Sequence, residues 1–252
     1  MKNDDSPIQK PPIFIEDGII IIRASSSGKC LHQLCRNLLG YKAVPMPESF
    51  KKVCSMGNYL EGVIVDKLLS DGYHVRDQQR KVVLDLIPGI QIQGSIDGLI
   101  DIDGETCILE IKTRNKKRYD ITMYEGVSGI PSMLIQGLVY ASALDLKSIV
   151  FCTVHRSENT ESVLRSLFMR KVTVPDFFKD WMSARLQRVV DFNNNRSIKE
   201  IDCEGSDLMC PITACPGGFG MSLNRDGDKR DRVSKRISNR RRRMQTSTTT
   251  KT

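Results

Sequence analysis

The pair Asp103-Gly104 constrains the fold of this chain more than any other feature of its sequence. It separates two runs rich in apolar and β-branched residues, Gly94 to Ile102 and Glu105 to Thr113. A two-residue type I′ hairpin turn needs positive φ at both central positions, which Asp-Gly tolerates. With Ile102 opposite Glu105, the register carries back to Asp97 opposite Glu110, and both carboxylates point to one face. Side chains alternate along a strand, so Lys112 rejoins that face, while Ile96, Ile100, Ile102, Leu109 and Ile111 turn to the other, core-like one. A three-residue loop would shift the register by one and part the two acids.

Like charges facing each other across a ladder cost stability, and a cation between them is the natural compensation. Carboxylate oxygens at close range suit a hard ion such as Mg²⁺ or Mn²⁺, which polarises a phosphate, and Lys112 adds a positive charge beside it. The plain alternative is a solvated strand face closed by a cross-strand salt bridge.

The rest of the chain reads as a series of helices and strands. Residues 1 to 17, with Pro7, Pro11 and Pro12, form a flexible leader, and Ile19 to Ile22 a short strand. Ser25-Ser26-Ser27 caps a helix that carries Cys30, Leu31, Leu34 and Leu38 and stops at Gly40. A second helix, Ser49 to Leu69, buries Leu60, Ile64 and Leu68 and keeps Glu61 at the edge of that stripe. A strand from His74 to Leu86 joins the Asp97 and Glu110 strands in a β-meander, and the basic stretch from Asn115 to Gly129 is turn-prone. A helix from Pro131 to Leu144 places Gln136 and Tyr140 on one face. Two later strands, Ile149 to His155 and Val163 to Val174, precede a last helix from Pro175 that turns Phe178, Trp181, Leu186 and Val189 inward. Helices before and after the hairpin predict an α/β class with one domain over residues 18–200.

Gly94-Ser95-Ile96-Asp97-Gly98 followed by Leu109-Glu110-Ile111-Lys112-Thr113 resembles motifs II and III of the PD-(D/E)XK nuclease superfamily. Gln136-Gly137-Leu138-Val139-Tyr140 matches the Q-x-x-x-Y helix signature of its RecB-like exonuclease branch, which includes phage-encoded and CRISPR-adaptation forms. Gly57-Asn58-Tyr59-Leu60-Glu61 resembles the motif I helix, and Ile96 stands where the superfamily often has proline. The resemblance implies a restriction-endonuclease-like core, with a central mixed β-sheet flanked by helices. It implies a metal-dependent DNA exonuclease serving phage or mobile-element recombination or replication. Asp97, Glu110, the Ile111 carbonyl and Glu61 would then bind the Mg²⁺ or Mn²⁺ ion. Lys112 would act at the scissile phosphate, and Gln136 and Tyr140 would hold the substrate strand. The alternative from another class is a non-catalytic DNA-binding or DNA-end-binding protein on the same fold.

Charge adds a second expectation. The net charge is +8, and the stretch from Asn224 to Thr252 holds eleven Lys/Arg against three Asp, so the remainder is formally neutral. That segment, within residues 223–252, has little to bury and is expected to be a disordered basic tail that attracts phosphate, with a solubilising tail without a partner or a nuclear-localisation run at Arg240 to Arg243 as the alternatives. The N-terminus lacks the apolar stretch of an export signal, and no long apolar run suggests a membrane partner. The expectation is a soluble, intracellular (cytoplasmic) protein whose partner is DNA.

Eight cysteines without an export signal argue against a disulfide framework. Cys54, Cys107 and Cys152 fall inside predicted elements and read as small core residues. Cys203, Cys210 and Cys215 lie in a closing segment, residues 201–222. Among RecB-like nucleases an iron-sulfur variant takes one cysteine from an early helix and three from the C-terminal end. Resemblance at Ser26-Ser27-Gly28-Lys29-Cys30 implies Cys30, Cys203, Cys210 and Cys215 as ligands of a 4Fe-4S cluster. The C-x6-C-x4-C spacing departs from the family pattern. A four-cysteine zinc site and free thiols remain open.

Overall fold

The structure, a computed structural model, describes residues 11–40, 48–157 and 159–195. Cys203, Cys210, Cys215, the closing segment 201–222 and the basic tail 223–252 lie outside the described residues.

Among the described residues, nine strands form two mixed sheets. The four-stranded sheet contains β1 (Ile13–Glu16), β2 (Ile19–Arg23), β4 (Lys81–Ile87) and β5 (Ile90–Ser95), in the order β1-β2-β5-β4. The five-stranded sheet contains β3 (Val75–Arg76), β6 (Gly98–Ile102), β7 (Glu105–Arg114), β8 (Ser148–His155) and β9 (Phe168–Thr173), in the order β3-β6-β7-β8-β9. β2 runs parallel to β5 and β7 parallel to β8; every other pairing is antiparallel. β8 is buried along almost its whole length, which explains its unbroken apolar run from Ile149 to Phe151.

The hairpin forms in the expected register. Asp103 and Gly104 take φ values of 52° and 78°, and Ile102 pairs with Glu105, continuing to Gly98 opposite Leu109. The expected strand from Gly94 to Ile102 is nonetheless two strands in two sheets. The chain leaves β5 at Ser95, bends at Ile96 and Asp97, and enters β6 at Gly98. Ile96 N–H goes to the Arg80 carbonyl at 3.0 Å. This bend reverses the alternation, so Ile96 joins a different core from Ile100 and Ile102.

Other elements also depart from the sequence reading. Ile13 to Glu16, expected in the leader, are a strand, because Ile13 is buried and pairs with Ile22. The expected strand from His74 to Leu86 divides into β3 and β4 at Asp77 and Gln79, both with positive φ. The basic stretch after β7 is a helix, α3 (Lys116–Glu125), capped by the Asn115 side chain, which accepts from Arg118 N–H. The stretch from Val163 to Val174 is α5 (Thr160–Arg165) followed by β9. Ser25 and Ser26 belong to a 3₁₀ turn, Ala24–Ser26, and do not cap the first helix, α1 (Leu31–Leu38).

Two cores hold these layers. The larger lies between the four-stranded sheet and α1, α4 (Pro131–Ala143) and α6 (Phe178–Asn195), and reaches Ile108 and Phe151 of the other sheet. The smaller packs Leu60, Ile64 and Leu68 of α2 (Glu48–Ser70) against Ile100, Leu109 and Ile111. Each fully buried aliphatic chain contributes about 1.5–3 kcal/mol. α4 approaches both sheets closely enough to require glycine: a Cβ on Gly137 would lie 2.6 Å from Phe151 Cζ, and one on Gly94 2.7 Å from the Tyr140 hydroxyl. Trp181 is 41% exposed, not turned inward, because Phe178, Met182 and Leu186 take the buried stripe of α6. Cys54 is likewise exposed, on the cleft side of α2. No helix of the described residues is long and apolar enough to cross a membrane.

Candidate active site

The bend between β5 and β6 positions Asp97. One rung beyond Gly98 and Leu109, the antiparallel ladder would offer Ile111 N–H to the Ile96 carbonyl. The chain has already turned, and Asp97 Oδ2 accepts that N–H at 2.6 Å. A side chain thus completes the ladder and pins a carboxylate against β7 beside Glu110.

Glu110 and Lys112 follow on the same face of β7. Glu110 has 0% exposure, and apart from an ion pair with Lys112 Nζ neither carboxylate oxygen has a hydrogen-bond partner. Burial pushes its carboxyl up to about 7; Lys112 opposes the rise and Asp97 adds to it. Asp97 is also raised, by burial against the pull of Lys112 and the Ile111 N–H. Burial works against the Lys112 ammonium, but Glu110 and Asp97 outweigh it and hold its pKa above the ordinary lysine value.

Glu61 reaches the same cleft from α2, where burial and then the charge of Asp97 raise its pKa. Its Oε1 accepts from Gln79 Nε2 at 2.5 Å. No three His, Cys, Asp or Glu side chains among the described residues form one potential metal-ligand group, so Glu61 is not gathered with Asp97 and Glu110. On α4, Gln136 Nε2 donates to the Tyr140 hydroxyl at 3.1 Å. Burial, then the nearby Glu110 charge, raises the Tyr140 pKa. Both residues line a cleft of about 810 Å³ together with Asp97, Ile111, Lys112 and Glu61. Glu110, with no solvent exposure, is not among the residues that line it.

Sequence reasoning missed several walls of this cleft: Arg23 at the end of β2, Gln79 before β4, Gln93 and Ser95 on β5, and Arg156 after β8. The positive φ of Gln79, unusual outside glycine, follows from its place in the turn that brings it to Glu61. Nothing in the local sequence marks the others, because strand ends from both sheets supply them. Cys30 precedes α1 and is 1% exposed.

The chain therefore has a mixed α/β architecture of two helix-flanked sheets, of the kind found in nuclease-like exonuclease folds. Solved structures that share it include two exonucleases. The alkaline exonuclease from Laribacter hongkongensis aligns with a TM-score of 0.50 at 16% identity, over 69% of this chain and 88% of that one. A phage-related exonuclease from Haemophilus somnus 129PT aligns with a TM-score of 0.54 at 14% identity, over 70% and 94% respectively. No protein-family model and no curated protein matches the chain.

Proposed function

We propose that this chain is a divalent-metal-dependent deoxyribonuclease that degrades DNA from its ends, serving recombination or replication of a phage or mobile element. The observation that carries this reading is the Asp97 carboxylate held against β7 by Ile111 N–H, beside a fully buried Glu110 whose carboxylate meets Lys112 and no other donor among the described residues. A fold shared with two exonucleases supports it.

The donor set fits a hard cation. Glu110 keeps acceptor capacity that no protein donor among the described residues fills outside its lysine pair, and burial raises its pKa, a cost that a bound cation would offset. Asp97, Glu110 and the Ile111 carbonyl would hold Mg²⁺ or Mn²⁺, and Glu61 would tune the site from α2. When bound, such an ion polarises the phosphate and makes a water more acidic. Lys112 contributes fixed positive charge at the scissile phosphate and orients the attacking water, a contribution made by prior placement. Gln136 and Tyr140 hold the strand on the opposite wall.

Incubation of end-labelled linear DNA and circular DNA with Mg²⁺ or Mn²⁺ tests the reading, with Asp97→Ala and Lys112→Ala as controls. Metal-dependent shortening of linear DNA by the wild type alone is the expected result. Binding without degradation would leave a DNA-end-binding protein, and nicking of circles would remove the exonuclease assignment.

A structural 4Fe-4S cluster on Cys30, Cys203, Cys210 and Cys215 is a separate proposal. Brown colour and broad visible absorbance after anaerobic purification are expected; a colourless protein with equimolar zinc would reassign the ligands to zinc.

A further inference from the structure

Ile90 and Ile92 of β5 point into the larger core, so Gln91, Gln93 and Ser95 share the opposite face of that strand. Gln93 and Ser95 line the cleft, and Gln91 does not. A relay of side-chain hydrogen bonds runs along this face. Gln91 Nε2 donates to Asp85 Oδ2 on β4 at 3.2 Å, and Gln93 Nε2 donates to Gln91 Oε1 at 3.2 Å. Gln93 Oε1 is left over, and no donor among the described residues meets it.

The far end of the relay fixes its direction. A carboxylate only accepts, so Gln91 must turn its NH₂ to Asp85 and its carbonyl to Gln93. Gln93 must then commit its own NH₂ to Gln91, and what it offers a ligand in the cleft is an acceptor. A phosphate oxygen, itself an acceptor, gains nothing from it. The donors on a DNA strand are the N–H groups of its bases and its terminal sugar hydroxyls. Val83, the register partner of Gln93 on β4, lies on the same face and is 47% exposed. An exposed apolar side chain beside a lone acceptor suits a nucleobase, which has an apolar face and a polar edge. Four residues of chain separate Gln93 from Asp97, at most about 14 Å, so that base belongs to a nucleotide close to the reacting bond.

Resting on the nuclease reading, we propose that Gln93, oriented by Asp85 through Gln91, accepts a hydrogen bond from the exocyclic amino group of a nucleobase in the bound strand. Asp85 and Gln91 are positioning residues for that contact.

Fluorescence anisotropy in EDTA tests this without cleavage, using two labelled single-stranded oligonucleotides, one of deoxyadenosine and one of deoxynebularine, which lacks only the 6-amino group. The wild type should bind the adenine strand about 3–10-fold more tightly, the value of one neutral hydrogen bond. Gln93→Met should remove the preference. Asp85→Asn should remove it too, because an amide donates as well as accepts and no longer sets the direction of the relay. Asp85 is exposed and does not line the cleft, so a merely structural role for Gln93 would leave this variant at the wild-type preference. The same variant decides the question even where Gln93→Met fails to fold. Equal affinity of the wild type for both strands, or a preference that survives in Asp85→Asn, overturns the proposal. So does binding that ignores the amino group and weakens with a 3′-dideoxy end, which would put the donor on the sugar. Cleavage of end-labelled DNA in Mn²⁺ is scored separately. A wild type that prefers adenine as expected and never cleaves sinks the nuclease reading alone. One that cleaves and ignores the amino group sinks the Gln93 assignment alone.

Discussion

Lys112 and Glu110 stand two residues apart on one face of β7 and pair as ions, and Lys112 is the one donor among the described residues that meets the buried Glu110 carboxylate. A single ammonium does not satisfy a carboxylate with no solvent contact, so the folded chain holds the Glu110 proton more tightly than the unfolded chain does. Its pKa rises from 4.5 to about 7, and Asp97 and Glu61 shift the same way.

The sign of the pH dependence follows. Stability from a raised carboxyl is full below its unfolded pKa of 4.5 and is lost as pH climbs through about 7. The metal-free protein should lose up to about 3 kcal/mol between those limits. Mg²⁺ competes with the proton, so at one hundred times its Kd it should restore about 2.7 kcal/mol above pH 7 and almost nothing below 4.5. Thermal melts at both pH values, with and without Mg²⁺, measure this. An equal Mg²⁺ shift at both would remove Glu110 from the ligand set.

Asp97→Asn keeps an oxygen to accept the Ile111 N–H and removes the charge. The variant should melt near the wild type and bind DNA in EDTA, yet cleave about 10²–10³-fold more slowly. Lys112→Ala should lose a similar factor in rate and also destabilise, because it leaves the buried Glu110 without its cation. Single-turnover cleavage and melting curves separate the two effects; an Asp97→Asn protein with wild-type turnover would end the catalytic reading.

Gly94→Ala should cost about 1–3 kcal/mol by overpacking, since its Cβ would sit 2.7 Å from the Tyr140 hydroxyl and 2.8 Å from Ala24 Cβ. Adding Tyr140→Phe should recover only part of the loss, because Ala24 Cβ and the ring edge remain in the way. A double-mutant cycle on denaturation midpoints measures the coupling. Strict additivity would show that the helix yields freely.

Arg185, on α6, donates through Nε to the Ser27 carbonyl at 3.3 Å and through its terminal nitrogen to the Lys29 carbonyl, and stacks on Trp181 at 5.7 Å. Arg185→Met should destabilise by about 2 kcal/mol. Arg185→Lys should rescue little, because an ammonium cannot fork to two carbonyls in one plane. Chemical denaturation of both variants checks this; full rescue by lysine would reduce the role of Arg185 to its charge.

The hairpin was legible because one Asp-Gly pair dictated its turn, and the register then fell on Glu110 and Lys112. The split at Ile96 and Asp97 was not, because an apolar residue at every second position continues smoothly across a bend that changes sheets. The helix α3 was missed for a different reason: its buried stripe is thin, with Thr122 its only buried residue. Its cap at Asn115 was the one available signal. Trp181 and Cys54 show that residue type alone misplaces a side chain when smaller neighbours on the same helix take the buried stripe.

Asp97 and its neighbour are the joint at which the two sheets are spliced: the Ile96 N–H is tied to Arg80, just before β4, and the Asp97 carboxylate to β7. Damage to packing in the four-stranded half therefore reaches, through two adjacent residues, the carboxylate proposed to hold the cation. On that proposal a chain so injured would keep most of its helix and strand content and still bind the ion more weakly, making ion affinity an earlier alarm of misassembly than unfolding.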